Sequence, residues 1–216
     1  MHLDSEPAIL YFGTPVVLVS TENKDGSFNL APISSVFWLG WRCMIGLAKN
    51  SKTTENLIRT KECVLNLASV NEAEAVNCLA LTTGSNPVPE GKRRRGYRYE
   101  PDKFDISGLT PMASGLVSAP GVKECPVQLE AQLISVHPIG AEDALLRGRV
   151  IALELKIIRV RLDESILQDG KPNYVDPGKW RPLIMSFQHF YGLGEKILPS
   201  SLAQIPEHLY KDQKTG

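Results

Sequence analysis

The chain has 216 residues, 43% of them apolar and 22% charged, as in ordinary globular proteins. A chain this long buries roughly 70% of its unfolded surface and needs no disulfide or metal staples. Lys plus Arg equals Asp plus Glu at 24 each, so no net field recruits nucleic acid or an anionic membrane.

TPVVLVST, Thr14 to Thr21, is a β-branched run and reads as the first strand. Asp25-Gly26 follows as a hairpin signal. NLAPISSVFWLG, Asn29 to Gly40, then reads as a second strand, antiparallel to the first but interrupted by Pro32, Ser34 and Ser35. A proline cannot donate to a ladder, so Pro32 belongs at an edge, at a bulge, or where something polar meets the backbone. Arg42 to Ala48 is strand three, after a tight turn at Gly40. TTENLIRTKE, from Thr53, carries Leu57 and Ile58 on one side and predicts a short helix. Glu62 to Ser69 is strand four, and Asn71 to Gly84 is a second amphipathic helix with Asn71 as its N-cap.

Residues 85–101, rich in Pro, Gly and Arg, read as a loop. Strands resume at Met112 to Ser118, Val127 to Val136 and Leu145 to Val160, and RPLIMSF, Arg181 to Phe187, is a last short one. The sum is a mainly β, antiparallel, Greek-key-like barrel with two or three short helices. It forms a single domain over 1–216, with a core at about 12–162 and an extension at 163–216. No apolar stretch approaches the ~20 residues of a membrane helix. MHLDSEPAIL is not a signal peptide. Cys43, Cys63, Cys78 and Cys125 are scattered with no C-x-x-C pair, which suggests free thiols in a reducing compartment and no metal site. The expected location is cytoplasmic.

After strand three comes AKNSKTTENL, where Asn50 or Ser51 can cap the helix. Free N–H groups and the positive dipole end then converge at Ser51, Lys52, Thr53 and Thr54, which makes an anion site. Strand two lies beside strand three, so Pro32, Ser34 and Ser35 approach that site. A ligand with a phosphate at one end and a flat hydrogen-bonding ring at the other has the matching shape. Its ring would lie along a strand whose ladder is broken at Pro32.

Here the chain resembles the flavin reductase-like, FMN-binding split-barrel family, which includes flavoredoxin and the reductase components of two-component monooxygenases. The resemblance spans roughly Pro15 to Val160 and rests on PVVLVST, DGSFNLAPISSV, NSKTTENL, DKFDISGLTP, ECPVQLEAQL and GRVIAL in that order. It implies that Asn29, Ala31, Pro32, Ile33, Ser34 and Ser35 line the isoalloxazine. It implies a phosphate site at Ser51, Lys52 and Thr53, with Ala48 and Lys49 also among the cofactor-binding residues and Lys103 approaching the flavin. It also implies FMN as cofactor, NAD(P)H as co-substrate, a homodimer, and a small-molecule substrate or a partner oxygenase or redox protein. Trp38, His137, Phe187, His189 and Tyr191 are the substrate-side candidates.

One place departs from the family pattern. Where many NAD(P)H-using members carry Gly-Asp-His, this chain has Ala141-Glu142-Asp143, and His137 is the nearest substitute. Flavin chemistry without direct NAD(P)H oxidation therefore stays open as an alternative. Lys92 to Arg95, KRRR, is either a solvated loop or a grip for an anionic substrate. With zero net charge and no base-stacking platform it does not suggest nucleic acid.

Overall fold

The computed structural model describes residues 2–210. In chain order the strands and helices begin with β1 (Phe12–Pro15), β2 (Val17–Glu22), β3 (Phe28–Ile33), β4 (Val36–Leu39) and β5 (Arg42–Ala48). Then come α1 (Lys52–Thr60), β6 (Glu62–Leu67), α2 (Ala73–Leu79), β7 (Thr82–Thr83), α3 (Glu90–Arg93), β8 (Arg98–Tyr99) and α4 (Lys103–Ser107). Two short strands, β9 (Pro111–Met112) and β10 (Gly121–Val122), precede the long pair β11 (Val127–Pro138) and β12 (Val150–Leu162). The tail carries β13 (Leu167–Gln168), β14 (Lys171–Val175), β15 (Ile184–Ser186) and β16 (His189–Tyr191).

The main sheet has seven strands in the order β3-β2-β6-β11-β12-β5-β4, all antiparallel. The predicted second strand is therefore two strands at opposite edges of one sheet. Only Ser34 and Ser35 separate them, so the sheet curls until its edges meet, and the Gly46 N–H donates to the Ser35 carbonyl at 2.8 Å, carrying the β4–β5 ladder into that link. The ladder is not broken at Pro32: β2 and β3 stay in register from Val17↔Ile33 through Leu18↔Pro32 to Glu22↔Phe28. An edge strand tolerates a missing N–H on its free side, and the break falls two residues later.

Strand alternation sorts β2 between two cores. Val17 and Val19 point into the barrel with Ile45, Leu65 and Leu153. Leu18 points outward to a second cluster with Leu30, Val76, Leu79 and Phe104, which α2 and α4 cover. Burial on both faces explains why the run is continuously apolar.

Other boundaries moved for local reasons. Ser69, not Asn71, caps the second helical region: its Oγ accepts from Asn71 N at 3.2 Å, and Glu72 returns a bond to Ser69 N at 2.7 Å. α2 stops at Leu79, where the Thr82 hydroxyl takes the free Leu79 carbonyl at 2.8 Å. The segment expected as a strand from Met112 to Ser118 is a loop beyond Met112, because the Glu130 carboxylate binds Gly115 N (3.0 Å) and Leu116 N (2.6 Å). β12 starts only at Val150, after turns that include Gly148 at φ +72°. The 85–101 loop contains α3 and β8, and α4 was not expected. The tail docks through Leu183, which is buried and exchanges backbone bonds with Val16 (2.8 Å) and Ala68 (3.0 Å). Among the described residues no helix is long and apolar enough to cross a membrane.

Candidate functional site

β5 runs straight into the start of α1. Ser51 is the N-cap, with its Oγ accepting from Thr54 N at 3.1 Å. The Thr54 hydroxyl donates to the Ala48 carbonyl at 2.9 Å, which ties the helix start to the strand end. The first intrahelical bond is Glu55 N to Ser51 O at 3.0 Å, so the N–H groups of Lys52 and Thr53 stay outside the helix ladder. Thr53 is buried and its Oγ1 accepts from Asn29 Nδ2 of β3 at 3.1 Å. Asn29 is only 2% exposed, and its Oδ1 is buried with no partner. An acceptor left so costs about 1–3 kcal/mol, which a ligand donor would recover. Gly84 closes in from the other side: a Cβ there would meet Asn29 Oδ1 at 2.6 Å and Lys52 Cγ at 3.0 Å.

Cations gather around this point. Lys52 is paired with Glu55 at 2.9 Å. Lys92 donates to Thr83 Oγ1 at 3.1 Å and lies 5.4 Å from the Tyr97 ring centroid, and burial, with Arg95 nearby, lowers its pKa. Lys103, at the start of α4, is 3% exposed. Burial pushes its ammonium down to about 8, with Lys92 pushing the same way and Glu100 opposing. Among the described residues no carboxylate lies within ion-pair distance of Lys92 or Lys103. Two desolvated cations without a counter-ion favour an anionic occupant.

The parallel pair β7–β8, Thr82↔Arg98 and Thr83↔Tyr99, pins the 85–101 segment over the barrel edge. The result is one slot with a narrow and a wide end. The narrow end is a cavity of about 160 Å³ at the α1 start, and Asn29, Ala31, Pro32, Ile33, Ala48, Ser51, Lys52, Thr53 and Lys103 all line it. The wide end is a cavity of about 550 Å³ along Ser34, Ser35 and Gly46, and it shares Pro32, Ile33, Ala48, Lys92 and Tyr97 with the first. Sequence segments far apart thus meet along one slot.

Several expected residues lie elsewhere. Lys49 is exposed and turns away, with its N–H bonded to Arg149 O at 2.9 Å. Trp38 packs against the barrel core with its Nε1 buried, because alternation on β4 sends Phe37 and Leu39 outward instead. His137 is exposed on β11, 3.8 Å from Glu154, and outside the slot. The tail lines the wide end of this chain's slot through Met185, Gln188 and Phe190, not through the substrate-side candidates Phe187, His189 and Tyr191. Phe187 and Gln188 adopt positive φ in the β15–β16 turn, and Phe187 stacks edge-on against Phe12 at 4.8 Å, while His189 and Tyr191 point away. Thr83, Gly84 and Tyr97 were not anticipated as site residues, whereas Lys92 belongs to the KRRR stretch that the sequence offered as either a solvated loop or a grip for an anionic substrate.

Residues 9–193 match the family described as "Flavin reductase like domain". An uncharacterised protein of Bacillus subtilis is 35% identical over 192 residues, 89% of this chain and 89% of that one. Flavoredoxin of Desulfovibrio vulgaris superposes with a TM-score of 0.74 at 24% identity, covering 94% of this chain and 99% of that one. Nitrilotriacetate monooxygenase component B of Bacillus cereus gives 0.69 at 20% identity, over 89% of each chain. These likenesses show a shared split-barrel fold. On the family match over most of its length, the chain belongs to the flavin reductase-like family, a match that supports a flavin-related oxidoreductase role.

Proposed function

We propose that the chain is an FMN-dependent oxidoreductase that takes its reducing equivalents from NADH or NADPH. The observation that carries this reading is the narrow end of the slot, where the free N–H groups of α1, the buried Lys103 and the orphaned Asn29 Oδ1 converge. This donor set suits a phosphate joined to a hydroxyl-bearing chain. Lys52 N–H, Thr53 N–H and the Thr53 hydroxyl would hold the phosphate at the helix start that Ser51 caps, and Asn29 Oδ1 would accept from the chain. The small walls from Pro32 to Ser35, opposite Gly46, leave room for a flat ring. When bound, FMN supplies the hydride and electron chemistry. The protein's share is to bind, orient and shield, and the Lys103 charge favours an anionic form of what it faces.

The whole chain works as one domain in this reading, in the cytoplasm, in keeping with its free cysteines. It works as a homodimer, which the exposed apolar side chains of Phe37, Leu39 and Trp41 and of the arm at Ile197, Leu198 and Leu202 support. Its electron acceptor is a small molecule or a partner oxygenase or redox protein. The test is anaerobic mixing of the protein, FMN and NADH or NADPH. Bleaching of the visible flavin band is expected, and a band that persists with both nicotinamides sinks the reductase claim. In that case FMN serves in an electron carrier reduced by a separate protein. The Ala141-Glu142-Asp143 sequence, with His137 outside the slot, favours that second reading.

A further inference from the structure

We infer that Lys103 is a covalent capture site: its side-chain amine forms a reversible imine with a small phosphate-bearing aldehyde whose phosphate sits at the start of α1. The inference shares the phosphate cradle of the proposed function but does not depend on the flavin. Such an aldehyde occupies the narrow end in place of FMN and competes with it.

Three lysines line the narrow end, and they are not equivalent. Lys52 is tied to Glu55 at 2.9 Å. Lys92 donates to Thr83 Oγ1 at 3.1 Å and lies over the Tyr97 ring. Lys103 is buried at the cavity wall and has no carboxylate within ion-pair distance among the described residues. No Asp or Glu among the described residues lines this end. A lysine becomes a nucleophile when it is desolvated or set beside another cation, because either favours the neutral amine. Lys103 meets both conditions: burial brings its pKa down to about 8, and Lys92 pushes the same way against a weaker opposing pull from Glu100.

The other half of the site is the cradle. The Lys52 and Thr53 N–H groups lie outside the helix ladder, and Asn29 Oδ1 is buried without a donor. The first suit a phosphate and the second suits a hydroxyl beside the carbonyl. All of them share one cavity of about 160 Å³ with Lys103, a space suited to a short phosphate ester. An anchored phosphate keeps the carbonyl in the same cavity as the amine, which makes the attack effectively unimolecular.

The step needs no oxidant or reductant. The Lys103 ammonium releases one proton to solvent, and the lone pair of the free amine attacks the carbonyl carbon. The resulting carbinolamine takes up a proton and expels its hydroxyl as water. A protonated C=N bond replaces the C=O, so the positive charge is kept in the cavity that holds the phosphate.

The probes are pyridoxal 5′-phosphate and 5-deoxypyridoxal, which carry the same aldehyde and hydroxyl with and without the phosphate. The full chain is incubated with each at about pH 8, trapped with cyanoborohydride and mapped by peptide mass spectrometry. The phosphate-bearing probe should modify Lys103 ahead of every other lysine. It should do so at a concentration about tenfold or more below that of 5-deoxypyridoxal, as a charge-assisted anchor requires. An excess of inorganic phosphate should protect Lys103 where chloride at the same ionic strength does not. Modification of Lys52, of Lys92 or of exposed lysines such as Lys24 and Lys49 with Lys103 unmodified overturns the inference. So does equal labelling by the two probes, or labelling that phosphate leaves untouched. FMN should protect as well. Protection by phosphate without protection by FMN refutes the flavin reading and upholds the capture site.

Discussion

Lys103 shows how much a single residue can report. Its ordinary pKa of 10.5 falls to about 8 because burial disfavours the charged form. Between about pH 8 and 10.5 the unfolded chain then holds a proton that the folded chain has released. Stability of the ligand-free protein therefore rises with pH across that window. Unfolding measured at several pH values should show the rise, and Lys103→Met should flatten it. Identical curves for the two proteins would contradict the assignment. Gly84 makes a second residue-scale prediction. Ala at this position would press on Asn29 Oδ1 and Lys52, so Gly84→Ala should weaken FMN binding by about tenfold or more, as loss of one or two hydrogen bonds implies. Unchanged affinity by flavin fluorescence titration would contradict it. Ser51, Lys52 and Thr53 were legible in the sequence because a helix cap is a local pattern. Tyr97 was not, and Lys92 was legible only as one of two readings of a basic stretch, since the fold of a long loop decides what they face.

At the scale of elements, α1 was readable from its period and its cap, and the two halves of NLAPISSVFWLG were not separable. Val36 to Leu39 and Phe28 to Ile33 have the same strand character, and only the sheet order shows that they lie on opposite edges. The start of α1 should carry much of the phosphate affinity. Replacing both Lys52→Ala and Thr53→Val should weaken FMN binding by several kcal/mol at most, at ~1.5–3 kcal/mol per charged hydrogen bond. Calorimetry that finds no change would move the phosphate site elsewhere. The loop after β9 depends on one buried acid. Glu130 is 1% exposed, holds Gly115 and Leu116 by their N–H groups, and lies 3.6 Å from Arg161 and 3.8 Å from Arg159. Glu130→Ala strands those groups and should cost about 3 kcal/mol or more in urea unfolding. A loss below about 1 kcal/mol would mean that the loop is held by other contacts. No periodicity signals such a clamp, which is why the segment from Met112 to Ser118 read as a strand.

For the whole molecule, the antiparallel β class and the meeting of distant segments at one slot followed from strand adjacency and motif order. The tail wall did not, because a hairpin turn at Phe187 and Gln188 decides which of its side chains face inward. The central claim is that the slot begins in a phosphate cradle built by α1, Asn29 and Lys103. Riboflavin is FMN without its phosphate, so equilibrium titration of the protein with both flavins isolates that cradle. FMN should bind at least about a hundredfold more tightly, the equivalent of two charge-assisted hydrogen bonds. Riboflavin binding as tightly as FMN would contradict the account.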